Sequence, residues 1–332
     1  MKTIRWGIIG CGDVTEKKSG PGFAKADGSE LAAVMRRDAA KAADYARRHR
    51  VPRWYSDADQ LTSDKDVDAV YIATPPAFHP EYTVRAARAG KPVYVEKPMA
   101  LNSRECERMI AVCREQGVPL FVAYYRRALP RFLKIKELVD SGVIGDIRAV
   151  QIVLHTPPDP RDYQFRDSGK NSGHWRVDPS VSGGGYFMDM ATHTIDFLDY
   201  VLGPMEVVCG TAANQAGLYP AEDSVAAAFR FRSGVSGTGS WSFSVYEDRD
   251  TTILSGTKGI LTFPSFRDGP ITVETKNGTE EFLIPHPPHV QQPLIQTVVD
   301  ELLGRGKCPS TGESALRTAH FTDTVLGGYY ES

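Results

Sequence analysis

An aspartate and a histidine lie four residues apart at the end of a glycine-rich stretch, residues 182–193. Residues i and i+4 share one face of a helix, so Asp189 and His193 are predicted to lie side by side. Histidine accepts and returns protons near neutral pH, and an aspartate one turn away can fix its orientation. The pattern indicates an acid–base pair. A purely structural pair is the alternative. A metal site is disfavoured, because no third or fourth ligand lies at a matching spacing.

A second charged motif, Glu96-Lys97-Pro98, directly follows an apolar run at 92–95. Charged residues that follow a buried parallel strand face the ligand crevice at the carboxyl edge of the sheet. From there Lys97 could stabilise a developing alkoxide or share in proton transfer. A surface ion pair between Glu96 and Lys97 is the alternative interpretation.

A glycine loop near the start of the chain, Gly10-Cys11-Gly12, follows the apolar run 4–9. Gly10 would permit a tight turn, and Gly12 would let a pyrophosphate approach the backbone where a helix begins. Thr15 stands where a third small residue is expected. Strand, glycine loop and helix in this order favour dinucleotide binding over a plain structural turn. The predicted contacts in this loop are Gly10, Gly12, Asp13 and Val14.

The residue at the tip of the second predicted strand, 31–35, decides which dinucleotide is expected. An acidic residue there binds the ribose 2′-hydroxyl of NAD, whereas an arginine accommodates the 2′-phosphate of NADP. The sequence has Arg36 and Arg37 at this point. NADP is therefore the preferred prediction and NAD the alternative. In the alternative, the two arginines are solvated and Asp38 caps the next helix.

The elements that must carry these residues alternate between short apolar runs and helical stretches up to about residue 122. Buried parallel strands are short, apolar and bounded by Gly, Pro or Asp. The alternation predicts a doubly wound α/β domain, that is, a Rossmann fold. The predicted strands are 4–9, 31–35, 69–72, 92–95 and 120–122, and the predicted helices are 39–49, 81–89 and 104–116.

Beyond Tyr124 the chain changes character, and strand-like runs dominate after one helix at 130–141. Hairpin turns at 231–235 and 275–279 imply antiparallel pairing. We therefore predict a Rossmann domain at 1–123 and, at 124–332, an α+β domain with an open, mainly antiparallel sheet. A loop at 156–185 is long enough to be a functional segment. The predicted strands are 148–154, 206–213, 224–231, 234–244, 251–255, 259–263 and 271–275.

Composition and charge exclude several classes of function. A chain of 332 residues with 41% hydrophobic and 24% charged residues can bury a large core and is not expected to be disordered. A net charge of −2 disfavours a nucleic-acid partner. No run approaches the ~20 apolar residues of a membrane span, and no secretory signal is recognisable, so a cytoplasmic location is expected.

The cysteines and two late histidines give no sign of a metal site. Five cysteines match no zinc spacing and are expected to be free thiols in a reducing compartment. Cys106 and Cys113 are predicted on one helix, ~10 Å apart along its axis and beyond disulfide reach. His286 and His289 lie in a proline-rich connection, where loop packing is favoured over metal binding.

Four features now stand in order: the glycine loop, Ala73-Thr74-Pro75-Pro76 with His79, Glu96-Lys97-Pro98, and the helix with Asp189 and His193. This order resembles the glucose–fructose oxidoreductase / inositol dehydrogenase / rhizopine-catabolism (Gfo/Idh/MocA) family over nearly the whole chain. The resemblance implies that Lys97 and His193 line a nicotinamide pocket, with Asp189 beside them. It also implies a cis peptide between Lys97 and Pro98.

Further site residues follow from the same resemblance. Along the cofactor it implies Thr74, Pro75, His79 and Glu96. Trp175 and Arg176 are expected to approach both the nicotinamide and the substrate, and Tyr124 is a further substrate-side candidate. One departure is Arg36, which replaces the acid of NAD-preferring members and is common in members that resemble NADP-dependent dihydrodiol dehydrogenase or anhydrofructose reductase. Another is the segment 19–22, Ser-Gly-Pro-Gly, which should shorten or bend the helix after the glycine loop.

The activity that the resemblance implies is an NAD(P)-dependent dehydrogenase or reductase. It would transfer a hydride between C4 of the nicotinamide and a carbinol or carbonyl carbon of a sugar, polyol or dihydrodiol-like substrate. Two alternatives are a glycosidase that oxidises its substrate transiently with tightly held NAD and a dinucleotide-binding sensor without turnover. A homodimer or homotetramer through the C-terminal sheet is expected.

Overall fold

The computed structural model describes residues 3–168 and 174–330. The chain forms two compact units. One contains Met1–Leu129 and His286–Leu316, and the other contains Pro130–Pro285 and Arg317–Ser332. The predicted division between residues 123 and 124 is a single cut, whereas the structure packs the segment 286–316 with the N-terminal unit.

The first unit is an α/β fold built on short strands, as predicted. Its strands are β1 (Ile4–Ile9), β2 (Ser29–Met35), β3 (Arg53–Tyr55), β4 (Ala69–Ile72), β5 (Val93–Val95) and β6 (Leu120–Val122). Its helices are α1 (Asp13–Lys17), α2 (Gly20–Lys25), α3 (Ala39–His49), α4 (Ala58–Ser63), α5 (His79–Arg88), α6 (Ser103–Glu115) and, late in the chain, α11 (Gln292–Leu302). Short 3₁₀ turns occupy Pro76–Phe78 and Tyr125–Ala128.

The six strands form one parallel sheet in the order β3-β2-β1-β4-β5-β6. The strand order reverses between β1 and β4, which is the point where doubly wound sheets bind ligands. The Rossmann prediction is therefore confirmed. Sequence reasoning missed β3 and α4, because three and six residues are too short to show a period.

The core of the first unit explains why the segment 286–316 belongs to it. Trp6, Phe23, Tyr71 and Tyr94 form a buried aromatic cluster with ring centroids 4.9–6.4 Å apart. Helix α11 adds an apolar face to the same core, made of Leu294, Ile295, Val298 and Val299, all fully buried. Burial of such side chains stabilises by about 1.5–3 kcal/mol each, enough to hold the segment against this unit.

The segment after the glycine loop is broken as predicted. Helix α1 ends at Lys17 and α2 begins at Gly20, with Pro21 in its first turn. A Cβ atom on Gly20 would lie 2.1 Å from the carbonyl oxygen of Thr15, so the two short helices approach too closely for any side chain there. The Ser-Gly-Pro-Gly segment therefore replaces one long helix by two short ones.

The second unit contains an eight-stranded sheet. Its strands are β7 (Ile147–His155), β8 (Met205–Ala213), β9 (Ser224–Phe231), β10 (Ser236–Ser242), β11 (Arg249–Gly256), β12 (Gly259–Phe263), β13 (Ile271–Thr275) and β14 (Gly278–Phe282). Its helices are α7 (Pro130–Asp140), α8 (Pro160–Ser168), α9 (Pro179–Ser182) and α10 (Thr192–Leu202), preceded by a π-helical turn at Phe187–Ala191. The last helix, α12, is Gly312–Tyr330.

The sheet order is β14-β13-β12-β11-β7-β10-β9-β8, and every pair is antiparallel except β7 with β10. The prediction of a mainly antiparallel sheet is confirmed. The parallel pair is possible because β7 and β10 are not consecutive in the chain, so no hairpin forces them to run in opposite directions.

The two faces of this sheet differ in exposure. In β9 buried and exposed residues alternate strictly from Val225 to Phe231, which is the pattern of a half-buried antiparallel strand. On the buried side, Phe132 of α7 packs edge-on against Phe197 of α10 and Phe263 of β12. The opposite face is exposed, and association of copies of the chain through it stays a prediction.

Part of the region predicted as a loop, 156–185, is helical. Helices α8 and α9 and a 3₁₀ turn at Trp175–Val177 lie within it, while residues 169–173 fall outside the described part. The loop prediction is thus wrong for its helical stretches. Pro160 and Pro179 each open a helix, a position that proline favours and that composition alone does not reveal.

Within the described residues, no helix is long and apolar enough to cross a membrane. In the same ranges no group of three or more His, Cys, Asp or Glu side chains is placed to hold a metal ion. Cys106 and Cys113 both lie on α6 as reduced thiols, which confirms their predicted placement.

Candidate functional site

The glycine loop has the geometry of a phosphate cradle. Gly10 has φ +90°, and a Cβ there would lie 2.8 Å from Thr74 Cγ2 and 2.9 Å from the Thr74 backbone nitrogen. Gly10 is therefore glycine because the loop packs against the end of β4. A Cβ on Gly12 would meet nothing closer than 3.8 Å. The space beside Gly12 is open, which suits close approach of a ligand to the backbone.

Thr15, which stands where the glycine motif has its third small residue, forms hydrogen bonds with the loop. Its hydroxyl donates to the Gly12 carbonyl at 2.7 Å and accepts from the Gly12 N–H at 2.9 Å. Asp13 and Val14 are the first two residues of α1, where backbone N–H groups have no acceptor inside the helix. These two amides are the ones that the loop can offer to a pyrophosphate.

Arg36 lies beside this loop. Its Nη1 donates to the Cys11 carbonyl at 3.1 Å and lies 4.0 Å from the position a Cβ would take on Gly12. Arg37 lies instead over the ring of Phe78, 5.2 Å from its centroid. Asp38 caps α3 through the Lys41 amide at 3.1 Å. The tip of β2 therefore presents the Arg36 guanidinium to the glycine loop. The carboxylate nearest to Arg36 in sequence, that of Asp38, caps α3 instead.

The end of β4 contributes Thr74, Pro75 and His79. Thr74 Oγ1 is buried and has no hydrogen-bond partner within residues 3–168 and 174–330. His79 is fully buried, with Nε2 2.7 Å from the Thr74 carbonyl and Nδ1 3.1 Å from the Pro98 carbonyl. Burial lowers the pKa of His79. His79 thus ties the Thr74 turn to the turn after β5, while Thr74 supplies an unsatisfied polar atom beside Gly10.

Glu96 is a buried acceptor, which argues against the surface ion pair considered above. Its Oε1 accepts from the Tyr71 hydroxyl at 2.5 Å and from Gln291 Nε2 at 2.7 Å, and its Oε2 accepts from the Lys97 backbone N–H at 3.1 Å. Burial and the Glu96 charge raise the pKa of Tyr71. The Lys97–Pro98 peptide is cis, as predicted. The carboxylate thereby fixes the backbone from which the half-buried Lys97 side chain projects.

In the second unit, Asp189 and His193 lie on one helical segment. Asp189 is in the π-helical turn, and His193 is the second residue of α10. A π-helical turn is wider than an α-helical one and is frequent at functional sites. Asp189 Oδ2 is 3.3 Å from Arg176 Nε, and the Arg176 guanidinium lies over the Trp175 ring at 4.6 Å. The structure thus brings Trp175, Arg176 and Asp189 together.

His193 is 4% exposed, and its ring packs edge-on against Phe266 at 6.2 Å between centroids. The loop that carries Phe266 is held by Asp250, whose carboxylate accepts the backbone N–H groups of 265–267 at 2.6–3.0 Å. Sequence reasoning missed Phe266 and Asp250. Asp250 lies 57 positions from His193 (250 − 193), and no local pattern connects them.

The turn that presents Trp175 rests on a buried hydrogen-bonded triad. His174 Nε2 lies 3.2 Å from Asp162 Oδ1 and 2.9 Å from the Tyr186 hydroxyl, which itself donates to Asp162 at 2.8 Å. Burial lowers the pKa of His174 and raises the pKa values of Asp162 and Tyr186. This triad links α8 to the start of the helical segment of Asp189.

Two further residues considered in the sequence analysis lie in the first unit, and the role of Tyr124 on the substrate side stays a prediction. Tyr124 follows β6 in the first unit and is only 2% exposed, so its ring is part of a packed core. His289 Nε2 lies 2.8 Å from Lys25 Nζ on the surface of the same unit, consistent with loop packing.

The chain matches known proteins along most of its length. A family model described as "Oxidoreductase family, NAD-binding Rossmann fold" matches residues 4–124, and one described as "GFO/IDH/MocA C-terminal domain" matches residues 132–262. The chain belongs to the GFO/IDH/MocA family of oxidoreductases. It is therefore an NAD(P)-dependent dehydrogenase or reductase, and the predicted family resemblance is confirmed.

Three relatives illustrate the family. Oxidoreductase P35 of Formosa agariphila is 39% identical over 98% of this chain and 98% of its own. 1,5-Anhydro-D-fructose reductase of Ensifer adhaerens is 28% identical over 94% of this chain and 92% of its own. A crystal structure of aldose-aldose oxidoreductase from Caulobacter crescentus, complexed with glycerol, superposes with a TM-score of 0.87. The match covers 99% of this chain and 98% of that chain at 24% identity, which shows the shared fold. The first two are named as an oxidoreductase and a reductase, which disfavours the glycosidase and sensor alternatives.

Proposed function

We propose that this member of the family transfers a hydride between C4 of NADP(H) and a carbinol or carbonyl carbon of a sugar, polyol or dihydrodiol-like substrate. The observation that carries the proposal is that the structure holds Lys97 and His193 each in a fixed position. Lys97 projects from a backbone pinned by the buried Glu96, and His193 follows Asp189 on a helical segment packed against Phe266. Both are residue types that handle protons and oxyanions.

The cofactor supplies the hydride chemistry when it is bound, and the protein supplies position and charge. His193 takes the hydroxyl proton during oxidation and returns it during reduction. Acid–base assistance of this kind is worth roughly 10²–10⁴-fold in rate. Asp189 orients His193, and its ion pair with Arg176 limits the directions in which the carboxylate can turn.

Lys97 stabilises the alkoxide that develops on the substrate oxygen. A lysine performs this role best when its backbone cannot move, because a pre-organised charge needs no reorganisation during the reaction. Tyr71 and Gln291 hold Glu96, and Glu96 in turn holds the Lys97 backbone nitrogen. This chain of hydrogen bonds supports the assignment of Lys97 rather than of another lysine of the first unit.

The surroundings of His193 and Asp189 support the proposed substrate class. Trp175 and Phe266 offer flat apolar surfaces, and Arg176 and Asp189 offer a donor and an acceptor. Binding sites for small polar molecules combine apolar walls with a few placed polar groups. A ring or chain with several hydroxyl groups matches this combination.

Arg36 supports NADP over NAD. Its guanidinium lies beside Gly12, next to the loop that would hold the pyrophosphate, and Asp38, the acid nearest to this tip in sequence, caps α3. Arginine binds phosphate groups through paired, charge-assisted hydrogen bonds. Arg37 lies against Phe78 and adds positive charge at the same tip.

A substrate screen tests the function. The protein is incubated with panels of sugars, polyols and dihydrodiols plus NADP⁺ or NAD⁺, and with the matching carbonyl compounds plus NADPH or NADH. Absorbance of the reduced nicotinamide reports turnover. We expect turnover of at least one hydroxylated compound, faster with the phosphorylated dinucleotide. Absence of turnover in both directions, with cofactor binding shown to be intact, would contradict the proposal.

A further inference from the structure

The start of the helical segment that carries Asp189 and His193 rests on a buried carboxylate. Glu222 is fully buried, and its Oε1 accepts the backbone N–H of Gly185 at 2.9 Å. Its Oε2 accepts the hydroxyl of Tyr330, near the end of α12, at 2.5 Å. Buried carboxylates are costly unless they are hydrogen-bonded, so both contacts matter to this residue.

The close approach of Glu222 to the glycine run before Asp189 leaves little room for side chains at Gly184 and Gly185. A Cβ on Gly185 would lie 2.5 Å from the Glu222 carbonyl oxygen, and one on Gly184 would lie 3.1 Å from Glu222 Oε1. The carbonyl of Gly185 in turn accepts the backbone N–H of Asp189 at 3.3 Å. An unbroken chain of hydrogen bonds therefore runs from Tyr330 through Glu222 and Gly185 to Asp189.

We propose that Glu222 is a positioning residue that acts through Gly185 on the segment of Asp189 and His193, and that its charge state sets how firmly that segment is held. The inference rests on the proposed function for the roles of Asp189 and His193, but not for the contact itself. An ionised acceptor makes a stronger hydrogen bond to an amide than a neutral one. The hold on Gly185 should therefore tighten when Glu222 loses its proton.

The surroundings of Glu222 place this change near neutral pH. Burial raises the pKa of Glu222 to about 7, and the neighbouring Asp223 acts in the same direction. Hydrogen bonds from Tyr330 and from the Gly185 amide oppose the rise. Tyr219 and Tyr329 are the other titratable groups that interact with this carboxylate, and burial raises the pKa of each of them, so neither ionises in this range.

Amide hydrogen exchange tests the proposal without any substrate. Protection of the peptide covering residues 185–193 is measured by mass spectrometry at pH 6 and pH 8 in the full-length chain. Glu222→Gln keeps the shape of the side chain and removes its charge, and Tyr330→Phe removes one donor. Glu206→Gln is the matched control, because it makes the same replacement at an exposed carboxylate on β8 of the same unit.

In the wild type we expect protection of 185–193 to rise about tenfold from pH 6 to pH 8 after correction for intrinsic exchange. In Glu222→Gln this rise should disappear, while Glu206→Gln keeps it. Tyr330→Phe should retain the rise but shift its midpoint upward, because it loses a donor to the charged form. Peptides of β9 and β11 should show no such rise in any variant.

Three results would overturn the proposal: an unchanged pH response of 185–193 in Glu222→Gln, an equal loss of the response in Glu206→Gln, or a uniform loss of protection across the second unit. Once a substrate is known, kcat of the wild type should rise as the pH increases through 7. In Glu222→Gln this rise should be absent, while the affinity for NADP stays unchanged. Failure of the substrate screen alone would count against the proposed function, since the exchange measurement needs no turnover.

Discussion

Each of the two units places a buried glutamate behind a backbone amide at its proposed catalytic element. In the first unit Glu96 accepts from the amide of Lys97, its immediate neighbour in the chain. In the second, Glu222 accepts from Gly185, which lies 37 positions away and four residues before Asp189. Support and catalytic residue form one short motif in the first unit, whereas in the second the support comes from Glu222, which precedes β9, and from Tyr330 on α12, both distant in sequence.

This difference has a physical consequence. Glu96 has two side-chain donors, Tyr71 and Gln291, in addition to the Lys97 amide. In the part of the chain that the structure describes, Glu222 has one side-chain donor, Tyr330, which belongs to the last helix and is itself 41% exposed. We therefore expect the segment of Asp189 and His193 to respond to pH near neutrality, because burial raises the pKa of Glu222 to about 7.

The largest effect is expected from Lys97→Ala. The substitution removes a charge that stabilises the developing alkoxide, and losing one such group costs about 10²–10³-fold in kcat. Steady-state kinetics with the substrate found by the screen measures it, and Lys65→Ala, an exposed lysine of the same unit, is the control. A Lys97→Ala variant within threefold of wild type would remove Lys97 from the mechanism.

Arg36→Asp should reverse the cofactor preference. Each charge-assisted contact to the 2′-phosphate is worth about 1.5–3 kcal/mol, or roughly 10–100-fold in affinity. Titration calorimetry with NADPH and NADH should therefore show NADPH binding more tightly to the wild type and NADH binding more tightly to the variant. Arg88→Asp, at an exposed position of α5, should leave the ratio unchanged. Equal affinities for the two dinucleotides in the wild type would show that Arg36 does not select NADP.

The stability of the protein should depend on pH through Glu222. Its pKa is raised from 4.5 to about 7, so the folded state binds the proton more tightly than the unfolded state. Between these values stability falls as pH rises, by about 1.4 kcal/mol per pKa unit and roughly 3 kcal/mol in all, and it is flat above pH 7. Urea unfolding at pH 4.5 and pH 8 should show this loss in the wild type and not in Glu222→Gln. An identical loss in both proteins would mean that other groups carry it.

The smallest of these effects is expected from Asp189→Asn. The carboxamide keeps the size of the side chain but weakens the contact with Arg176, and partly exposed ion pairs are worth no more than about 1 kcal/mol. We expect kcat to fall about tenfold, less than for Lys97→Ala, because orientation is disturbed rather than a proton-handling group removed. Asp146→Asn on the exposed surface of the same unit is the control. A loss larger than that of Lys97→Ala would indicate that Asp189 itself transfers the proton.

The comparison of the two units also shows which features the sequence can predict. Five of the six strands of the first unit are visible as short apolar runs, and the glycine loop, Arg36 and Glu96-Lys97-Pro98 are visible because each follows such a run. Asp189 and His193 are visible through their helical spacing. Gln291, Phe266, Asp250 and Glu222 are not, because each acts on residues far from it in sequence, and no local pattern marks these contacts.

The central claim is that the first unit binds the dinucleotide and His193 of the second handles the proton. The most direct test measures NADPH affinity and kcat together in His193→Asn, with His155→Asn, a substitution at the end of β7, as control. The account predicts an unchanged dissociation constant for NADPH and a fall in kcat of at least about 10²-fold, the usual worth of acid–base assistance. Undiminished turnover in His193→Asn, with His155→Asn equally active, would contradict it.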